Sequence, residues 1–261
     1  MLKLTLVPAL IAGVTMAGRR WGPAVAGWLS AFPVVSGPIL LIMTLEQGPD
    51  FTSAAAVGTL SAVLAILVFG IAYAWAATRH AWPTSLITGL AAYAAAVAGL
   101  SHSTPSLLLF APMVLGALVM APRLYPEPPA PSATQAAHAR PTNDIALRML
   151  AGAVLVMLVT HFAPLMGPSL SGVLAMFPVM ASVLVVFSHR HVNAFFAIQM
   201  LRGMVLGYYA FAAFCSVLAM ALPTAGTTAA FGLALAAAVS VQVLSRRVML
   251  RRSPEKPGAA S

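Results

Sequence analysis

Apolar runs long enough to cross a bilayer follow one another along almost the whole chain. A hydrocarbon core of about 30 Å needs about 20 apolar residues in helical form, since each backbone amide must find its partner within the segment. The runs fall near residues 2–18, 23–45, 52–78, 84–100, 105–121, 145–163, 168–188, 193–222 and 226–245. Only 7% of residues are charged and 61% are hydrophobic. A soluble domain has about a quarter charged, so this chain lacks the polar surface for one. The expected fold is all-α, a polytopic membrane helix bundle of about nine transmembrane helices. The third and eighth runs are long enough to tilt or project, and the fourth and fifth are short.

Composition shifts between the fifth and sixth runs. Residues 122–144 are rich in Pro, then in Ala, Ser, Thr and Gln, and read as a linker that buries no core. The division is a first membrane repeat with a connecting helix over 1–121, the linker over 122–144, a second membrane repeat over 145–245 and a basic tail over 246–261. Lys3 before an apolar stretch ending near Thr15-Met16-Ala17 also fits a signal peptide. The internal repeat described below favours a retained helix.

The net charge is +9. The bases lie between apolar runs, which is the pattern of membrane loops and not of a nucleic-acid surface. With the N-terminus outside, the inner loops and tail hold Arg19, Arg20, Arg79, Arg123, Arg140, Arg148, Arg190, Arg246, Arg247, Arg251, Arg252 and Lys256, leaving Lys3 outside. The positive-inside rule prefers that orientation. A tail on the inside then requires an odd number of spans.

A shift of 145 residues lays Gly22-Pro-Ala-Val-Ala-Gly-Trp-Leu-Ser-Ala-Phe-Pro-Val-Val35 over Gly167-Pro-Ser-Leu-Ser-Gly-Val-Leu-Ala-Met-Phe-Pro-Val-Met180, with seven of fourteen positions identical. Without a gap, Thr15 meets Thr160, Phe51 meets Phe196, Gly58 meets Gly203 and Phe69 meets Phe214. Four helices therefore match four, and the spare fifth turns the second half over, giving an inverted-topology repeat (4 + 1 + 4). Such repeats recur in secondary transporters, whose sites lie near the midplane between them.

The segment Ala26-Gly-Trp-Leu-Ser-Ala-Phe-Pro33, an apolar run into Glu46-Gln-Gly48-Pro-Asp50 and a following helix with Gly58 resemble the GlpM-like family of small, four-helix bacterial inner-membrane proteins. Each half resembles one member over about 80 residues. The second half keeps Gly172 and Phe177-Pro178, with His189-Arg190-His191 near where the first has its acids. The resemblance implies the bacterial inner membrane and supplies neither substrate nor catalytic residues.

The candidate substrate-binding residues are Phe32, Pro33, Gly37, Pro38, Phe177, Pro178, Gln199 and Arg202. Pro33 and Pro178 each lie about ten residues, or about 15 Å, into a run. A mid-helix proline frees the carbonyl four residues earlier, here that of Leu29 or Leu174. Pro38, after Gly37, is expected to open a second gap at Val34. Broken helices around a midplane site and ordinary packing kinks both fit this pattern. Arg202 is the one charge expected deep in a run, about 14 Å from its start. It reads either as an anion-binding residue facing a cavity, in reach of the Leu29, Val34 or Leu174 carbonyls, or as a snorkelling base. Gln199 shares its face. The carboxylates all fall at helix ends, in loops or in the tail. His189-Arg190-His191 reads as a basic inner loop, since two histidines without an acid or thiol make a poor metal site.

The expected function is a secondary transporter or flippase for a small or lipid-linked substrate, anionic or neutral, in contact with membrane lipid. The other reading is a non-transporting accessory protein of envelope or polysaccharide assembly. No catalytic residues, metal site, cofactor or nucleic-acid partner is expected, and oligomeric state is not legible. Reporter fusions test the topology: the Pro122–Asp144 linker and the tail after Ser245 should report inside, and the Gln47–Asp50 loop outside.

Overall fold

The computed structural model describes residues 2–102, 106–127, 144–162 and 177–252. The expected linker from residue 128 to 143, the start of the seventh run including Leu174, and the tail from residue 253 lie outside the described residues. Among those described the fold is all-helical: α1 Leu2–Trp21, α2 Pro23–Ser30, α3 Ser36–Gln47, α4 Pro49–Ala77, α5 Trp82–Leu100, α6 Leu107–Leu124, α7 Ile145–Phe162, α8 Val179–His191, α9 Ala194–Ala225 and α10 Thr227–Arg252. Among the described residues five stretches are long and apolar enough to cross a membrane: α4, α5, α6, α9 and Thr227–Arg247 of α10. Their outward faces are apolar too, with Ile87, Leu108, Val119 and Leu244 all more than half exposed. A surface of that kind suits lipid, not water. The chain is a multi-pass helical membrane protein.

The expected second run is two helices, α2 and α3, parted by a turn over residues 31–35. Two boundaries also move. α6 runs on through Pro122 and Arg123, so the linker starts later than expected. α10 runs on to Arg252, so the tail, expected from residue 246, begins in helix.

The hinges follow from Gly-Pro pairs. Gly22 and Gly48 hold φ of 92° and 91°, a region open to glycine, and Pro23 and Pro49 open the next helix where no amide donor is needed.

α9 is the hub and packs on α2, α4, α6, α8 and α10. Its seat on α2 is backbone against backbone. A side chain at Gly203 would enter the Ala24 carbonyl, one at Gly207 the Trp28 carbonyl, and one at Gly27 the Met200 carbonyl. The Gly203-x-x-x-Gly207 spacing, a motif common by chance in so Gly/Ala-rich a chain, here makes the contact. α1 lies on α2 and α7, and α4 on α5, α6 and α9. Phe69, Tyr73, Phe214 and Leu218 are wholly enclosed at the centre.

Gly203→Val and Gly27→Val should each lose about 1–3 kcal/mol or more through overpacking. Gly99, with nothing near its missing side chain, should accept Ala with unchanged or slightly raised stability. Thermal unfolding of the purified protein in detergent measures both.

Candidate functional site

The two Phe-Pro pairs build the same local structure. The Val34 amide donates to the Phe32 carbonyl at 2.8 Å, and the Val179 amide donates to the Phe177 carbonyl at 2.8 Å. Each proline is thus the centre of a three-residue turn. Pro178, at φ −77° and ψ 62°, sits in the inverse γ-turn minimum. The Pro33 carbonyl then accepts from Gly37 at 2.9 Å and the Pro178 carbonyl from Ser182 at 2.8 Å, launching α3 and α8. The missing proline donor falls ahead of a helix, where it costs no bond.

This geometry corrects two expectations. Leu29 is not left free by Pro33, because its carbonyl accepts from Phe32 at 3.2 Å. Pro38 opens no second gap, because it lies in the first turn of α3. Both Pro33 and Pro178 are buried, as is Gly37, which faces the ring of Phe214. Phe32 packs against the core, and Phe177 meets Tyr93 edge-on with centroids 6.3 Å apart. Beside the second turn the buried hydroxyl of Ser182 has no hydrogen-bond partner among the described residues, nor has that of Thr15 on α1, which touches α8. Unpaired buried hydroxyls are costly and call for a partner.

Arg202 is placed elsewhere. Its guanidinium donates to the Tyr125 carbonyl at 3.2 Å, not to Leu29 or Val34 as expected, and Trp75 Nε1 donates to the Leu124 carbonyl at 2.9 Å. Together they satisfy carbonyls at the C-terminal end of α6, its negative pole. The Tyr125 side chain is buried against Gly70, and burial raises its phenol pKa well above the ordinary range; Tyr208 adds to that and Arg202 opposes it. The α9 register explains the position. Gly203 faces Ala24, Gly207 faces Trp28 and Ala31, and Phe214 faces Gly37. Arg202 therefore lies level with the first turn of α2, about 18 Å along the axis from the Gly37 level. Its Nε is buried and unpartnered among the described residues. Gln199, one turn earlier, is half-buried.

A polar cluster that sequence reasoning missed joins the two halves. Asp144 accepts from Arg19 at 3.1 Å through Oδ1 and from Arg148 Nε at 2.9 Å through Oδ2. Asp144 and Arg148 are only 7% and 5% exposed, although Asp144 was expected to end the linker and Arg148 to stand among the inner-side bases. Arg148 also donates to Ser188 Oγ at 3.4 Å, and Ser188 donates to the Leu184 carbonyl at 2.6 Å. Phe187 lies under the Arg148 guanidinium at 5.4 Å and stacks on His191 at 5.6 Å. His189 Nδ1 is 3.1 Å from the Tyr73 hydroxyl, and Arg190 covers Trp82 at 5.7 Å. The His-Arg-His segment is therefore the packed last turn of α8, not a loop. One carboxylate between two guanidinium groups leaves the Asp144 cluster net positive. Its Asp144–Arg148 edge was legible as an i, i+4 pair; Arg19, 125 residues away, was not. Asn193 caps α9, its side-chain oxygen accepting from the Phe196 amide at 2.8 Å.

Comparison with protein-family models, with curated proteins and with solved structures finds no match to this chain.

Breaking one partner of a buried ion pair costs about 3–5 kcal/mol, because it strands the other charge. Asp144→Ala should therefore destabilise the protein strongly. The double variant Asp144→Leu with Arg148→Met should recover most of that loss. Arg202→Leu removes one carbonyl cap and should cost about 1–3 kcal/mol. Unfolding midpoints in detergent for the four proteins check the order.

Proposed function

We propose that the chain is a small secondary transporter or flippase built from two inverted repeats, moving a small or lipid-linked anionic substrate by alternating access. The observation that carries this reading is the pair of matching Phe-Pro turns, at Phe32-Pro33-Val34 and Phe177-Pro178-Val179, each leading into a helix through the same hydrogen bonds. Interrupted helices in corresponding positions of two halves are the usual pointer to a transporter's binding site.

The repeat gains further support from helix starts. α4 and α9 begin at Pro49 and Ala194, and α5 and α10 at Trp82 and Thr227, both pairs 145 apart, the offset of the sequence repeat. α1 packs on its mate α7, and α4 on its mate α9. In this scheme α1, the α2–α3 pair, α4 and α5 form one repeat, α6 is the connecting helix, and the chain crosses nine times with its N-terminus outside. The resemblance to GlpM-like proteins favours the bacterial inner membrane. The substrate site lies between the two turns, with the Ser182 and Thr15 hydroxyls as donors. The excess positive charge of the Arg19–Asp144–Arg148 cluster favours an anion approaching from its side. Fold-level analogy supplies the transport step itself.

A second reading, a non-transporting accessory protein of envelope assembly, draws on the seat of α2 on α9. Backbones that touch along Gly203 and Gly207 leave no space between those two helices.

Thiol accessibility separates the two. With Cys215, which is wholly buried, replaced by Ser, the variants Ser36→Cys and Ser182→Cys should react with a membrane-impermeant maleimide in both right-side-out and inverted vesicles. Labelling from one face only, or from neither, would overturn alternating access at the paired turns.

A further inference from the structure

A groove of about 500 Å³ opens on the flank of the bundle between α6, α9 and α10, away from the Phe-Pro turns. Val119 and Pro122 line it from α6, Leu206 and Tyr209 from α9, and Val241 and Leu244 from α10. The wall is apolar, and the volume is that of a small-ligand pocket. One end is different in kind. Arg123 lines the groove there together with Ser245, and Arg246 and Arg247 follow Ser245 directly. All three arginines are exposed. The ion pairs found among the described residues are those of Asp144 with Arg19 and Arg148, so none of the three is used in one.

The groove is also held open by fixed structure. Ser245 Oγ accepts from Trp28 Nε1 at 2.8 Å and donates to the Gln242 carbonyl at 2.9 Å, and Gln242 Nε2 donates to the Trp28 carbonyl at 3.2 Å. These bonds pin the basic end of α10 to α2. The α6 end that carries Arg123 is fixed by Trp75 and Arg202 through the Leu124 and Tyr125 carbonyls. Two anchored helix ends thus place Arg123 in the groove wall, and Arg246 and Arg247 directly after the wall residue Ser245.

We propose that this groove binds an anionic phospholipid. An acyl chain lies along Val119, Leu206, Val241 and Leu244, and the headgroup phosphate sits on Arg123, Arg246 and Arg247. The charge pattern selects this occupant. A neutral lipid would leave three arginines without counter-charge, and a soluble anion would leave the apolar channel unfilled. Basic pockets between helices at a membrane surface hold anionic headgroups in this way. The site is independent of any transported substrate.

Native mass spectrometry of the full chain in detergent tests the idea, with phosphatidylglycerol and phosphatidylcholine of identical acyl chains as probes. Phosphatidylglycerol should bind about tenfold more tightly or better, since each base near a headgroup adds to the attraction. The triple variant Arg123→Ala, Arg246→Ala, Arg247→Ala should bring the two lipids level. Leu206→Trp, which fills the channel and keeps the charges, should weaken both. Glycerol phosphate, which has no acyl chain, should not compete. Equal binding of the two lipids by the parent protein, a preference that survives the triple variant, undiminished binding by Leu206→Trp, or displacement by glycerol phosphate would each overturn the proposal.

Discussion

The rest of the structure depends on the contact of α2 with α9. Association of helices in lipid gains little from the hydrophobic effect and relies on close packing. Here Gly27, Gly203 and Gly207 remove the side chains that would keep two backbones apart, and the carbonyls of Ala24, Trp28 and Met200 occupy the space. That seat fixes the register of α9, and α9 in turn touches α4, α6, α8 and α10. The height of Arg202, the closeness of Gly37 to Phe214 and the anchoring of Trp28 to α10 all follow from it.

The prolines act within that frame in a different way from the usual mid-helix kink. Pro33 and Pro178 do not bend a continuing helix. Pro33 parts α2 from α3 in a tight turn, and Pro178 stands in the same turn at the head of α8, with the hydrogen bonds that launch each following helix made. Among the described residues, the buried side-chain atoms without a partner include the Ser182 hydroxyl beside the second turn and the Thr15 hydroxyl on α1. A site built on them depends on hydroxyl donors and turn geometry, and not on a buried formal charge. The charges collect instead in the Asp144 cluster and at the end of α6, where helix termini and a carboxylate offset them.

Much of the fold was legible from residues. The apolar runs gave α4, α5, α6, α9 and α10 with ends displaced by a few residues, because a long spanning helix is set by hydropathy alone. The Gly-Pro and Phe-Pro pairs stand at the hinges and at the break in the second run, since glycine opens conformations that other residues rarely adopt and proline fixes φ and removes a donor. The candidate site was only half legible. Phe32, Pro33, Phe177 and Pro178 shape the turns as local chemistry dictates, whereas Arg202 was drawn to the wrong carbonyls. Counting residues along one run measures depth only if the run starts at the membrane surface. α9, at 32 residues, is longer than a bilayer requires.

What the sequence determined by itself is the membrane class, the helical content and the places where the backbone must turn, because each depends on a residue and its near neighbours. What only the tertiary structure decided is which polar groups meet. Asp144 pairs with Arg19 across 125 residues, Arg202 caps α6 across 77, and Ser245 holds Trp28 across 217. Pairings of that kind are set by how helices lie against one another, and that depends on small residues at their contacts, whose partners are not marked anywhere along the chain.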